Sequence, residues 1–373
     1  MLAAAALAAG VAIGADNGGD EEAAEETREV NPSAAGRPAA ELPLARAVGQ
    51  LLIMSFEGTE APPYIRRRLR DGEGAGVILF GGNAPDSDSL RSLTSSLQRA
   101  AGGGAIVATD QEGGEIRSVA FAAPEPSQGV LTTPAAASQA AGDGARALRA
   151  EGINVNLAPV ADVASGPASV VAGRAYGADA QVVPSLVEAA VRAHDDEGVA
   201  ATVKHFPGLG AAGANTDDAP VTIASSMDQL EQSDLPPFRA AIEEDVPLVM
   251  SSHALYPALD DADIASQSAA VLEDLLRSEL GFQGVVVTDS IEAQAVLARS
   301  GVADAAVRSV GAGTDLVLMT GSGSWNEIYP ALLERAESDP AFAARVREAA
   351  GRVAALKERL GLKQPAGGAQ ADR

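Results

Sequence analysis

Residues 204–220 read KHFPGLGAAGANTDDAP: an adjacent lysine and histidine follow an apolar run, and the loop after them carries two neighbouring acids, Asp217 and Asp218, but no second histidine. Imidazole and carboxyl groups are the side chains that most often move protons in catalysis, so the loop poses the question of which group would do so. Other apolar runs also end in ionisable residues. Asp110 closes AIVATD, Asp162 closes VNLAPVAD, His253 lies in PLVMSSHAL and Asp289 in GVVVTDS. Each has a structural reading when taken singly: Asp162 could cap a turn, His253 could be a satisfied histidine near the core, and Asp289 before Ser290 could be the N-cap of a helix. As a set they are what a site for a polar ligand needs.

Composition narrows the classes of ligand. The chain has 373 residues, enough for one large domain or two ordinary ones, and 46% apolar residues can fill a sizeable core. With 51 acidic against 27 basic residues the formal charge is -24, which repels phosphate backbones and anionic bilayers and argues against nucleic acid as a partner. The absence of cysteine excludes disulfides, thiolate metal sites and a cysteine nucleophile. Three histidines, His194, His205 and His253, are too few and too scattered for a zinc cluster, so neither metal nor cofactor is expected.

The chain opens with MLAAAALAAGVAIGAD, too short to span a bilayer comfortably. Residues 1–15 have the apolar centre and small-residue end of an export signal, with a cut after Ala15, although no Lys or Arg precedes them. The expectation is an extracellular or envelope protein, with any membrane association confined to this segment; an Ala-rich disordered tail is the competing reading. Residues 16–42 are acidic and poor in large apolar groups, which predicts a flexible linker. A folded domain is expected over 43–363, and a second flexible tail over 364–373.

Within the folded part, eight short apolar or β-branched runs alternate with helical patterns: 48–56, 76–80, 105–110, 155–162, 199–206, 247–255, 284–290 and 315–320. Leu90, Leu93 and Leu97 follow Asp86 and Ser87 at helical spacing, and Phe238 and Ile242 follow the start DLPP. Strands buried on both faces and separated by helices pair in parallel, and eight such units predict an α/β fold, a closed (β/α)8 TIM barrel forming a single domain. A doubly wound open sheet is the weaker alternative, because no G-x-G-x-x-G follows the first strand. In a barrel the C-terminal strand ends face one mouth, and Asp110, Asp162, Lys204, His205, His253 and Asp289 all fall there.

The stretches DQEGGEIRSV (110–119), AGRAYGAD (172–179), VKHFPGLG (203–210), LVMSSHALYPALD (248–260) and GFQGVVVTDSIEAQAV (281–296), in this order and spacing, resemble the catalytic barrel of family 3 glycoside hydrolases. The likeness covers about 43–363 and is greatest to the single-domain β-N-acetylhexosaminidases. The resemblance implies a retaining hydrolase acting on a β-linked terminal sugar, with Asp289 as nucleophile and with Asp110, Arg174, Lys204 and His205 holding sugar hydroxyls; His253 is grouped with these substrate contacts. Retention requires an ionised carboxylate below the anomeric carbon and a proton donor on the other side. Asp162 is expected to position Lys204 or the loops.

The sequence departs from that family at the donor. The Asp-x-His dyad of the single-domain hexosaminidases is replaced by Asn215 and Asp217, Leu209 replaces a second histidine, and Glu115 stands where relatives usually carry Arg. Asp217 is the substitute expected to donate the proton; its competing reading is that Asn-Thr-Asp-Asp is turn chemistry. The functional expectation is therefore an exo-acting β-N-acetylhexosaminidase on cell-wall-type glycans. Its alternatives are β-glucosidase specificity and a non-catalytic sugar-binding descendant.

Overall fold

The computed structural model describes residues 42–364, so the segment 1–15, the acidic stretch as far as 41 and the tail from 365 lie outside the described residues. Eight parallel strands form the centre: β1 (Leu52–Met54), β2 (Gly76–Leu79), β3 (Ile106–Thr109), β4 (Val155–Asn156), β5 (Ala200–Phe206), β6 (Leu248–Ser251), β7 (Val285–Thr288) and β8 (Val317–Leu318). Each pairs with the next, from Ile53 opposite Gly76 to Val285 opposite Leu248, and β8 returns to β1 through Leu52 and Val317. A bridge between Val287 and Leu316 joins β7 to the entry of β8 and closes the ring. The expected barrel is therefore present, one strand in each of the eight apolar runs.

Those runs overshoot their strands, and the reason is local. Val48 and Gly49 belong to the helix Leu44–Gly49, which the run 48–56 absorbed because a buried helical turn is as apolar as a strand. Beyond the barrel, two antiparallel ribbons decorate the C-terminal ends: Gln111–Gly113 with Ile116–Arg117, and Leu255–Tyr256 with Asp260–Ile264. Leu42, expected at the end of the linker, is buried, and its carbonyl accepts from Arg347 Nη1 at 2.9 Å.

Side chains alternate along each strand, as the period of two requires. Ile78, Ile106, Val155, Leu157, Met250, Val285, Val287 and Leu318 fill the barrel interior in one cluster, while Val77, Leu79 and Val286 point outward into the layer beneath the helices. The helix Ser87–Ala100 shows how that outer layer is built. Asp86 accepts from Ser89 N at 2.8 Å as its cap, and Leu90, Leu93 and Leu97 are buried against the barrel as their spacing predicts. The helix Pro236–Glu243 likewise buries Phe238.

At the entrance to β8 a single carboxylate ties three elements together. Asp315 is 0% exposed; its Oδ2 accepts from Arg277 Nη2 at 2.5 Å and from Val286 N at 2.9 Å, and its Oδ1 from Arg345 and Arg352. Removing one partner of a buried ion pair leaves the other charges uncompensated, which costs about 3–5 kcal/mol. Asp315→Ala is expected to lower the unfolding free energy by about that amount in denaturant titration; a loss below about 1 kcal/mol, the scale of an exposed pair, would show that the cluster is not a structural anchor.

Candidate active site

The C-terminal strand ends surround a cavity of about 240 Å³, lined by Ile78, Phe80, Asp110, Leu157, Asp217, Met250, Asp289, Ser290, Leu318 and Thr320. Apolar residues of the barrel interior form its floor, and three carboxyl groups reach it from β3, β7 and the loop after β5.

The loop 204–220 is held by close backbone approaches. A Cβ on Gly210 would lie 1.8 Å from Val163 O, and Gly208, at φ +133, would bring one within 2.6 Å of Asp234 Cβ. Both positions therefore require glycine. Tyr256 Oη donates to Gly208 O at 2.8 Å, and farther along Gln294 N donates to Asp217 O, which docks the loop on the segment after β7.

Lys204 is 2% exposed and donates to Asp110 Oδ1 at 2.7 Å; its ammonium also lies 2.6 Å from Glu112 Oε1. Glu112 in turn accepts a fork from Arg174, Nε to Oε2 at 2.8 Å and Nη2 to Oε1 at 2.6 Å. Burial alone would push the Glu112 carboxyl up, but Lys204 and Arg174 outweigh it and hold it at about 2. Burial would likewise depress the Lys204 ammonium, and Asp110 and Glu112 raise it instead. Part of the Arg174 fork is thus spent inside the protein on a residue absent from the sequence-based site. The signal for Glu112 was available: residues 110 and 112 are two apart in an extended segment and share a side. Gln111 between them points the other way and donates to the carbonyls of Val119, Ala122 and Ala123.

Asp162 is fully buried and serves His205, not Lys204. Its Oδ2 accepts from His205 Nδ1 at 2.7 Å, and its Oδ1 from the backbone N–H groups of His205 and Leu209. This fixes the ring with Nε2 facing Asp289 Oδ2 at 3.9 Å. Asp289 lies directly after β7, where its Oδ1 accepts from Ser290 N at 2.8 Å. Burial pushes the Asp289 carboxyl up, but His205, His253 and Lys204 together bring it below the ordinary value.

His253 acts through Ser290 instead of as a ligand contact, and its burial lowers the pKa of the ring. It is 0% exposed, Nδ1 is bonded to Ser266 Oγ at 2.7 Å, and Nε2 to Ser290 O at 2.9 Å. With both nitrogens engaged, the ring supports the end of β7 and offers the cavity no free polar atom.

Asp217 combines the two readings its sequence allowed. Its N–H donates to Asn215 Oδ1 at 3.1 Å and its Oδ2 accepts from Asn215 Nδ2 at 3.2 Å, which is turn chemistry, yet the same carboxyl lines the cavity opposite Asp289. It stands at the exposed rim; the protein packed around it, and next the charge of Asp289, push it above the ordinary value. Asp218 is exposed outside the cavity. Ser290, Thr320 and Glu292 form a hydroxyl–carboxylate triangle at the cavity edge that sequence reasoning did not find, because nothing in T-D-S-I-E separates a site residue from a helix start.

The model of the Glycosyl hydrolase family 3 N terminal domain matches residues 44–356. A protein named "Uncharacterized secreted glycosyl hydrolase" from Arthroderma benhamiae is 35% identical over 346 residues, 88% of this chain and 97% of its own length. A beta-hexosaminidase of Xanthomonas oryzae pv. oryzae is 33% identical over 279 residues, 72% of this chain and 83% of that protein. The solved family 3 beta-N-acetylglucosaminidase from Paenibacillus sp. superposes with TM-score 0.82 at 35% identity over 89% of this chain, which spans 65% of that structure. The beta-N-acetylhexosaminidase of Beutenbergia cavernae gives TM-score 0.78 at 35% identity, covering 85% of this chain and 99% of its own. The extent of these matches and the barrel they share agree on one conclusion: this chain belongs to glycosyl hydrolase family 3.

Proposed function

We propose that the protein is a retaining, exo-acting β-N-acetylhexosaminidase in which Asp289 attacks the anomeric carbon and Asp217 donates and then recovers the proton. The observation that carries this reading is a pair of carboxyls on one cavity whose surroundings drive them apart, Asp289 down and Asp217 up. Such a divergence is how two like groups take opposite roles, one as nucleophile and one as acid. The clamp around Glu112 prepares Asp110 and Lys204 to meet vicinal hydroxyls, with Arg174 at the edge. Relatives named beta-hexosaminidases support a 2-acetamido sugar, and a glycan of cell-wall type suits an exported enzyme, for which the signal-like segment and the fungal relative's name both speak. Among the described residues no helix is long and apolar enough to cross a membrane.

In the reaction the ionised Asp289 forms the covalent bond to C1 as the leaving-group oxygen takes the Asp217 proton. Water then attacks the glycosyl-enzyme while Asp217, now a carboxylate, accepts its proton. The exposed turn that carries Asp217 favours one second reading, a sugar-binding protein without turnover.

Replacement of Asp217 by Ala separates these readings. Dinitrophenolate leaves without protonation, so its glycoside should glycosylate the Asp217→Ala enzyme at nearly the wild-type rate, whereas a substrate with a poor leaving group should lose about 10²–10⁴-fold. Azide should restore turnover on the activated substrate, since an anion needs no general base. An unchanged ratio between good and poor leaving groups, in steady-state kinetics, would remove Asp217 from the mechanism.

The pH dependence follows from the two shifts. Asp289 must be ionised, so kcat/KM falls as the pH drops through its lowered pKa; Asp217 must be protonated, so kcat/KM falls as the pH rises through its raised pKa. On the dinitrophenyl substrate, which needs no proton donor, the wild type should keep the acid limb and lose the alkaline limb that it shows on a poor leaving group. Persistence of the alkaline limb would assign it to another group.

The clamp is tested by binding. Asp110→Ala should weaken a monosaccharide inhibitor in calorimetry by about 1.5–3 kcal/mol, the scale of a hydrogen bond to a charged group. Unchanged affinity would place the sugar elsewhere.

A further inference from the structure

Ser290 and Thr320 line the cavity beside Asp289, and their hydroxyls lie 2.6 Å apart. Glu292 faces both: its Oε2 is 3.3 Å from Ser290 Oγ, 3.3 Å from Thr320 Oγ1 and accepts from Thr320 N at 2.9 Å. The other oxygen, Oε1, is buried and has no hydrogen-bond partner among the described residues. A Cβ on Gly321 would come within 3.0 Å of it, so the backbone closes tightly over the carboxylate. Both hydroxyls and the Thr320 amide thus converge on one oxygen.

The proton count decides what the triangle shows to a ligand. Each hydroxyl has one hydrogen, and Glu292 Oε2, which accepts from Thr320 N, meets them as an acceptor. One hydrogen spans the short contact between the hydroxyls and the other ends on Glu292. This holds whichever hydroxyl starts the chain, so both hydrogens are used inside the triangle and only lone pairs remain for the cavity. His253, bonded to Ser290 O, holds the same residue from behind.

We propose that Ser290 and Thr320 act as a paired acceptor that reads a donor on the sugar's second carbon, the N–H of a 2-acetamido group, and that Glu292 is the positioning residue that makes them acceptors. This rests on the hydrolase reading for the placement of the anomeric carbon at Asp289. With Asp110 and Lys204 on β3 and β5 holding the far hydroxyls, the β7–β8 edge meets the groups flanking C1. The ring oxygen there is itself an acceptor and would be repelled, whereas the 2-substituent carries a hydrogen. The triangle therefore selects sugars bearing N–H or O–H at C2 and disfavours those with none.

The test compares kcat/KM on aryl β-glycosides of N-acetylglucosamine and of 2-deoxyglucose for wild type, Ser290→Ala, Thr320→Val and Thr320→Ser, with thermal midpoints to confirm folding. Thr320→Val and Ser290→Ala should each lose about tenfold on the 2-acetamido substrate and less than about twofold on the 2-deoxy one, as expected for one lost hydrogen bond. Thr320→Ser should restore the wild-type ratio. Equal losses on both substrates, or no loss on either, would overturn the inference while leaving the hydrolase reading intact. If the wild type turns over neither glycoside, the hydrolase reading fails by itself. The same split is then sought in calorimetric binding of N-acetylglucosamine and 2-deoxyglucose; an equal response of both sugars, or no binding of either, overturns the paired acceptor.

Discussion

A lysine ammonium buried at the top of a barrel is the constraint on which the candidate site depends. Taking such a charge out of water costs several kcal/mol, and Lys204 remains charged because Asp110 and Glu112 stand 2.7 and 2.6 Å away. That requirement fixes much else. Glu112 carries a second partner in Arg174, so residues from β3, β5 and the loop after β4 are locked into one network before any ligand arrives. Lys204 also helps to hold the Asp289 carboxyl below its ordinary value, and Asp162 adds to the order by fixing the His205 ring. The site is rigid where the sugar is to be held.

Electrostatic asymmetry then divides the work between carboxyls. Asp289 is surrounded by His205, His253 and Lys204, while Asp217 stands at the rim facing another acid. In the proposed mechanism the proton donor is Asp217, a group whose ordinary pKa is far too low for an acid at neutral pH. Packing around the loop and the charge of Asp289 both act against that handicap, which is why the docking of 215–217 on the segment after β7 matters to the chemistry.

The barrel was legible because eight apolar runs separated by helical spacing admit few other folds. Its boundaries were not: apolarity does not distinguish the end of the helix Leu44–Gly49 from the strand that follows it. Among site residues, Asp110, Asp289 and Asp217 could be placed at the cavity from strand ends and the loop count. His253 kept two readings, a satisfied histidine near the core and a substrate contact, since its hydrogen bonds to Ser266 and Ser290 depend on residues distant in sequence. Glu112 was hidden by its neighbour in the same motif, and the Ser290–Thr320–Glu292 triangle by the fact that two strands supply it.

The proposed mechanism turns on covalent glycosylation of Asp289, which can be tested by trapping that intermediate. A 5-fluoro-N-acetylglucosaminyl fluoride, which slows both chemical steps, would be incubated with the enzyme and the digested protein mapped by mass spectrometry. One sugar is expected on the peptide containing Thr288, Asp289 and Ser290, with fragmentation placing it on Asp289. A sugar found on Asp217, Glu292 or any other carboxylate would contradict it.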